Sequence, residues 1–140
     1  MQIEMSALRV GLAAAGPEFS KQNKKLLWLL EGLIRCNMVY LDSHPHTPSL
    51  YTSGVRYQRE ARGQEVWQDI PNCIQLRRGD CEDLAAWRVA ELRQRGIHAR
   101  GHLKWFHKPS IKITMYHVEV RLPDGSIEDP SKKLGMKGRS

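Results

Sequence analysis

The spacing of the apolar residues changes once along this chain, near Ile97, and that change limits the folds the chain can form. Upstream, apolar residues recur every three or four positions, which is typical of helices with a buried face. Downstream, short runs of alternating apolar and polar residues are separated by turn residues, which is typical of strands. Helices followed by consecutive strands predict an α+β fold, in which N-terminal helices pack on a small antiparallel sheet.

The upstream part contains two clear helix predictions. Residues 20–41 are expected to form a long helix with Ser20 as its N-cap, and residues 81–95 a second helix that ends at Gly96. The first 15 residues predict a strand or a short helix. Residues 42–55 are expected to form a loop. Residues 56–70 are expected to form at most a short helix, and Pro71 is expected to start a further loop.

The downstream part predicts three strands, at residues 98–105, 112–122 and 126–129. The turn signal Pro123-Asp124-Gly125 predicts a hairpin between the last two strands. The segment WFHKPS, residues 105–110, is interpreted as the loop between the first two.

The length of 140 residues fits a single domain, 1–140. No apolar run reaches the ~18 residues of a membrane span, since Glu31 and Arg35 interrupt the longest candidate. The N-terminus lacks a secretory signal pattern, and the three cysteines are too widely spaced to predict a disulfide framework. We therefore expect a cytoplasmic protein without a membrane span.

The formal net charge of +7 favours contact with anionic partners. The densest basic cluster is the tail KKLGMKGRS, residues 132–140. It is not accompanied by zinc-finger spacing or an aromatic RNA-binding motif. A solvated tail is the favoured interpretation, and nucleic-acid binding stays open as an alternative.

Cys81 lies where the second helix is predicted to begin, after the expected N-cap Asp80. At that position unpaired backbone N–H groups and the helix dipole stabilise a thiolate and lower the pKa of the thiol. The neighbouring acids, Asp80, Glu82 and Asp83, oppose this effect by like-charge repulsion. An activated thiol at this site would therefore need a histidine beside it.

The helix itself predicts which side faces the sheet. Cys81, Ala85, Val89 and Leu92 share one side, whereas Trp87, Ala90 and Glu91 are expected to point away from it. Asp83 is expected to pair with Arg77 or Arg78.

A histidine and an aspartate on the predicted hairpin could complete a catalytic group with Cys81. His117 lies within one strand, and Asp129 lies near the end of the next, across the predicted turn. A base that is oriented by a carboxylate and lies beside a thiol is what nucleophilic catalysis requires. His98, His102 and His107 are alternative bases, and Asp124 and Glu128 are alternative carboxylates.

The other cysteines are interpreted as structural. Cys36 lies in the long apolar helix and is expected in the core, and Cys73 is expected in a loop. A zinc site made from Cys73, Cys81 and histidines is not favoured, because no C-x-x-C or H-x-x-x-H spacing occurs.

Three stretches carry a resemblance to a known family. They are G-D-C-E-D-L-A around Cys81, Y-H-V-E-V from Tyr116, and E-D-P-S around Asp129. In order, spacing and flanking residues, the region 75–135 resembles the transglutaminase-like superfamily of papain-like cysteine enzymes. The stretches SLYTSGVRYQRE and DPSKKLGM are also similar to short phage- or prophage-encoded members.

The resemblance implies a papain-like core with Cys81 as nucleophile, His117 as base and Asp129 as the residue that orients the base. It also implies an oxyanion hole with an upstream aromatic residue or glutamine. The candidates are Tyr57, Gln64, Trp67 and Gln75. The backbone N–H of Cys81 is a further expected donor. No calcium, other metal or cofactor is implied.

The function implied is that of a cysteine hydrolase, a protease or amidase acting by acyl transfer on a protein or peptide amide. Hydrolysis is favoured over cross-linking because no feature indicates an amine-binding site. The phage-like resemblance implies a place in the host cytoplasm or in a virion, with phage structural proteins among its partners. The alternative is a non-enzymatic virion or assembly protein that retains the fold.

Overall fold

The computed structural model describes residues 2–4, 17–60, 66–108 and 113–137. These residues form a mixed α+β fold, as the sequence predicts. The helices are α1 (Pro17–Ser43), α2 (Ile70–Leu76), α3 (Cys81–Gln94) and α4 (Pro130–Lys133), with a 3₁₀ turn at Leu50–Thr52. The strands are β1 (Gln2–Glu4), β2 (Arg56–Tyr57), β3 (Val66–Gln68), β4 (Arg78–Gly79), β5 (Arg100–Lys108), β6 (Ile113–Arg121) and β7 (Ile127–Glu128).

The strands β5, β6 and β7 form an antiparallel sheet in that order. The hairpin predicted at Pro123-Asp124-Gly125 is confirmed, with Gly125 at a φ of +88° that favours glycine. The segment WFHKPS is not simply a loop, because β5 continues to Lys108, opposite Ile113. Its aromatic residues suit a strand, and the long ladder with β6 extends the pairing beyond the predicted end. Residues 109–112 lie outside the described residues.

The segment before α3 differs most from the prediction. Residues 56–70 hold two short strands rather than a helix: β2 pairs parallel with β4, and β3 pairs antiparallel with β1. The loop predicted at Pro71 is instead the first turn of α2, where Asp69 caps the helix by accepting from the Asn72 N–H. Strands of two or three residues are too short to show a period, and their pairing is decided by distant segments.

Helix α1 begins at Pro17, so Ser20 lies within the helix and is not its N-cap. The fixed φ of proline suits the first helical position. The apolar residues that recur at helical spacing in this segment predict a buried face, which is confirmed: Leu26, Leu30, Leu33 and Ile34 are fully buried, and Leu29 is partly buried. Cys36, which was expected in the core, is exposed. Among the described residues no helix, the long α1 included, combines the length and apolarity needed to cross a membrane.

Helix α3 lies at the centre of the fold. It contacts α1 on one side and β5 and β6 on another, and α2 and α4 also touch it. Trp87 and Ala90, which were expected to point away from the buried stripe, are completely buried. The sequence predicted that only the side facing the sheet would be buried. Helix α1 covers the side of α3 that the sheet leaves open, so both sides are buried.

The close packing of β5 on α1 can be tested at Gly101. A Cβ at this position would overlap Cδ2 of the buried Leu30. We expect Gly101→Ala to lower the free energy of unfolding by about 1–3 kcal/mol, as overpacking does, measured by urea denaturation.

Gly32→Ala is the matched control, because Gly32 lies in α1 and has nothing within 4 Å of its added Cβ. It should raise the free energy of unfolding by roughly 0.5–1 kcal/mol through helix propensity. Equal unfolding midpoints for the two variants would contradict the packing described here.

Candidate active site

The start of α3 is fixed by a capping box. Asp80 is the N-cap, as predicted, and its Oδ1 accepts from the Cys81 N–H at 2.7 Å. Asp83 accepts from the Asp80 N–H at 3.0 Å and also from the Gln68 N–H at 2.7 Å. Asp83 is buried and bound to backbone, so the expected pair with Arg77 or Arg78 is wrong. The acids around Cys81 therefore hold the helix start in place.

The thiol of Cys81 is almost buried and donates to Oε2 of Glu82 at 3.2 Å. Burial, followed by the charges of Glu82 and Asp80, raises the pKa of the Cys81 thiol well above its usual value. A hydrogen bond from the Val118 N–H opposes this rise and does not overcome it. The sequence predicted two opposed effects: the helix start stabilises a thiolate, and the neighbouring acids destabilise it. The effect of the acids, which favours the neutral thiol, prevails together with burial.

Glu82 shares this environment. Its side chain is buried, and its Oε1 has no hydrogen-bond partner among the described residues. Burial, together with the charges of Asp80 and Asp83, raises the pKa of Glu82 well above its ordinary value. Burial therefore disfavours the charged form of both the thiol and this carboxyl group.

His117 and Asp129 are brought together by the β6–β7 hairpin. His117 Nε2 lies 2.8 Å from Asp129 Oδ2, and the side chains are only 12% and 10% exposed. Burial raises the pKa of Asp129, but the hydrogen bond and charge of His117 outweigh it, so that the pKa lies below its usual value. Asp129 also caps α4 by accepting from the Lys132 N–H. The ionised Asp129 orients the ring and leaves Nδ1 as the nitrogen available to a thiol.

The end of β7 explains why Cys81 meets β6. Val120 pairs with Glu128, so the position opposite Val118 falls on Pro130, which already belongs to α4. The β7 side of Val118 is therefore open, and the Val118 backbone lowers the pKa of the Cys81 thiol by hydrogen bonding. The helix start and the residue after His117 are joined at this point.

Cys81, His117 and Asp129 line one cleft with a volume of about 190 Å³. On the sheet, His117 lies opposite Lys104 and Met115 lies opposite Phe106, and these four residues share one face. Tyr57 and Glu119 also line the cleft. The three residues singled out from sequence thus line the same cleft.

The oxyanion-hole candidates are separated by the structure. Tyr57 lines the cleft, and burial, followed by the charges of Asp80 and Cys81, raises the pKa of its hydroxyl, which keeps its proton. Trp67 is completely buried in the core, and Gln75 is exposed on α2. Gln64 lies outside the described residues. The Cys81 N–H, the other expected donor, already donates to the N-cap carboxylate.

The alternative bases and carboxylates do not line the cleft among the described side chains. His98 is exposed after α3, and His102 lines a different cavity beside α1. Asp124 accepts from Ser126 within the hairpin turn. Only the backbone of His107, on β5, is described.

Glu128 belongs to a buried ion-pair network that sequence reasoning missed. Its carboxylate lies 2.6 Å from Arg88 Nε and accepts from the Tyr51 hydroxyl at 2.7 Å. Arg88 also pairs with Glu91, which accepts from the Leu50 N–H. The network ties β7 to α3 immediately before Asp129. The contacts join residues far apart in the chain, so no local pattern could indicate them.

Cys73, expected in a loop, lies on α2 and is completely buried. Its sulfur donates to the carbonyl of Gln68 at 3.9 Å, and burial, followed by the charge of Asp83, raises the pKa of its thiol. A structural role is the simplest interpretation of this thiol.

Two groups of side chains at the site offer donors that divalent cations bind. One is His117, Glu119 and Asp129, and the other is Asp80, Cys81 and Glu82; within each group the ligand atoms lie within 4.8 Å of one another. The hydrogen bond between His117 and Asp129 and the capping role of Asp80 account for both arrangements. Neither group includes Cys73.

Comparison of the chain with protein-family models, with curated proteins and with solved structures finds no match. The site is therefore interpreted from its own geometry.

The role of Glu82 in keeping the thiol neutral can be tested with Glu82→Gln. The amide cannot ionise, so the charge that Glu82 places 3.2 Å from the sulfur as the thiol titrates is removed, and the thiolate should form at lower pH. Iodoacetamide labelling of Cys81 across pH 6–10 should show a profile displaced towards acid. Asp124→Asn, which removes an acid in the exposed hairpin turn, should leave the profile unchanged. Identical profiles for Glu82→Gln and wild type would contradict this account.

The network that holds β7 can be tested with Arg88→Ala, which leaves Glu128 buried without its guanidinium partner. We expect a loss of roughly 2–4 kcal/mol in the free energy of unfolding, measured by urea denaturation. Arg35→Ala is the matched control, because Arg35 pairs with Glu31 on the exposed face of α1. That change should stay within about 0.5 kcal/mol. Similar losses for both variants would show that the network adds nothing specific.

Proposed function

We propose that this protein is a transglutaminase-like cysteine hydrolase with a papain-like core, which cleaves an amide bond of a protein or peptide through Cys81, His117 and Asp129. The observation that carries the proposal is the 2.8 Å bond between His117 Nε2 and Asp129 Oδ2 inside the cleft that Cys81 also lines. A carboxylate that engages one ring nitrogen of a histidine, in a cleft that a helix-start thiol also lines, supports a nucleophilic triad.

In the proposed reaction, His117 Nδ1 takes the proton of the Cys81 thiol, and the thiolate attacks the carbonyl carbon of the amide. The imidazolium then gives its proton to the leaving amine as the C–N bond breaks, which leaves a thioester on Cys81. A water molecule, deprotonated by His117, attacks the thioester and releases the carboxylic acid and the thiol. Asp129 stabilises the imidazolium in both halves of the reaction and fixes the ring orientation.

The resting thiol is neutral, so activation in this proposal accompanies substrate binding. The substrate displaces water from the cleft and strengthens the interaction between thiolate and imidazolium. The Val118 N–H supports the thiolate. The Tyr57 hydroxyl, which lines the cleft and keeps its proton, is our candidate donor to the oxyanion.

Hydrolysis is proposed rather than cross-linking, because no feature of the sequence indicates a second, amine-binding site. The resemblance of the chain to short phage- or prophage-encoded proteins supports a setting in the host cytoplasm or in a virion. Phage structural proteins would then be among the substrates or partners.

A second candidate function is a non-enzymatic virion or assembly protein that retains this fold. The observation that favours it is the resting state of Cys81, whose thiol is buried, neutral and bonded to Glu82. Such a thiol is a poor nucleophile until its surroundings change.

The two functions are separated by a digest of a mixed, proteome-derived peptide library, with new termini counted by mass spectrometry. We expect wild type to produce new termini and Cys81→Ala to produce none. His117→Ala should reduce the rate by roughly 10²–10⁴ as the general base is lost. Asp129→Asn, which retains the cap of α4, should reduce it by up to about 10⁴.

Cys36→Ser is the control, since it removes an exposed thiol remote from the cleft and should cleave like wild type. Termini that persist in Cys81→Ala would refute the hydrolase proposal. A wild-type protein that produces no Cys81-dependent termini would favour the non-enzymatic function.

A further inference from the structure

Four basic side chains line the cleft that contains Cys81. They are Arg59, Lys104, Lys132 and Lys137. They come from three parts of the fold: the segment after β2, strand β5, and α4 with the residues that follow it. The cations therefore surround the cleft from several directions.

None of the four cations forms an ion pair within the described part of the chain, although the charge of Lys132 acts on Asp129. Arg59 Nη2 contacts the sulfur of Met115 at 3.6 Å, and Lys104 Nζ lies 5.2 Å from the centre of the Phe106 ring. Both cations are thus held against apolar side chains of the cleft wall. Lys132 and Lys137 are exposed to solvent.

The floor of the cleft has the opposite character to its rim. Glu119 and Asp129 are both nearly buried there, and Asp129 is engaged by His117. Met115, Phe106 and the ring of Tyr57 add apolar surface. A ligand that fits both parts presents a neutral chain to the floor and negative groups to the rim.

We propose that the cleft binds acidic segments of a protein or peptide, in which aspartate or glutamate side chains near the scissile amide contact the four cations of the rim. This inference rests on the proposed function for the bond that is cleaved, and it adds the class of sequence around that bond. Extended peptide backbone is uncharged and suits the floor, and its side chains project alternately towards the walls.

A nucleic acid fits this cleft less well, although it is also anionic. It carries a charge at every backbone unit, so phosphates that enter the cleft would meet Glu119 and Asp129 on the floor. The cations are arranged around a cleft of about 190 Å³ and do not form a long basic track. The charge pattern therefore favours carboxylates on a peptide.

The test measures binding without chemistry, in the full chain carrying Cys81→Ala. The probes are fluorescein-labelled ten-residue peptides that alternate glycine with glutamate, glutamine or lysine, together with a ten-nucleotide oligothymidine. Fluorescence anisotropy at about 50 mM salt should show the glutamate peptide binding at least about tenfold more tightly than the glutamine peptide. Affinity should fall as salt screens the charges.

Adding Lys104→Gln and Lys132→Gln should reduce affinity for the glutamate peptide by roughly tenfold, since two direct contacts are lost. The matched control adds Lys24→Gln and Lys25→Gln, two exposed lysines of α1 that make the same change in net charge. It should change the affinity by less than about twofold.

The outcomes separate this inference from the proposed function. Equal affinity for the glutamate and glutamine peptides, or equal losses in the two double variants, would overturn the inference while leaving Cys81-dependent cleavage untouched. Oligothymidine that binds as tightly as the glutamate peptide and depends on Lys104 and Lys132 would also overturn it, in favour of nucleic acid. Selective glutamate binding in a protein that cleaves nothing would support the inference and refute only the hydrolase.

Discussion

The burial of helix α3 along almost its whole length is the constraint on which the rest of the structure depends. A helix surrounded by α1, by the sheet and by α2 and α4 leaves little surface for water, so most polar groups on it need a partner from another element. Asp83 is satisfied by the backbone of β3, Arg88 by Glu128 on β7, and Glu91 by the backbone of the 3₁₀ turn. The polar contacts that satisfy the helix therefore also fix the position of its neighbours, including the strand that leads into Asp129.

The same burial sets the chemistry of Cys81. The first residue of an exposed helix would have a stabilised thiolate, because the helix dipole would act without opposition. Here the low-polarity surroundings and the adjacent Glu82 raise the pKa of the thiol instead. In the proposed reaction, His117 and the arriving substrate must therefore provide the stabilisation of the thiolate that the resting site lacks. A nucleophile that is neutral until the cleft is filled is also protected from oxidation and alkylation between encounters.

Elements with a long, regular pattern were predicted well from the sequence. The apolar stripe of α1, the start of α3 at Asp80 and the hairpin between β6 and β7 all follow from local spacing or turn chemistry, and the structure confirms them. The short strands β2 and β3, the cap of α2 at Asp69 and the burial of Trp87 were missed. These features are decided by contacts between segments distant in the chain, which local periodicity does not report. For the candidate site, the order and spacing of Cys81, His117 and Asp129 predicted three residues that the structure places in one cleft.

The sequence by itself determined which residues carry reactive groups and which short motifs position them. The N-cap before Cys81 and the turn between His117 and Asp129 act over a few residues, so their effect can be deduced without knowing the rest of the chain. Only the tertiary structure decided the raised pKa of the thiol, the hydrogen bond from the Gln68 N–H to Asp83, and the basic rim that Arg59, Lys104 and the α4 region place around the cleft. Burial and electrostatic interactions depend on distance in space, and residues from separate elements acquire those distances only when the chain has folded.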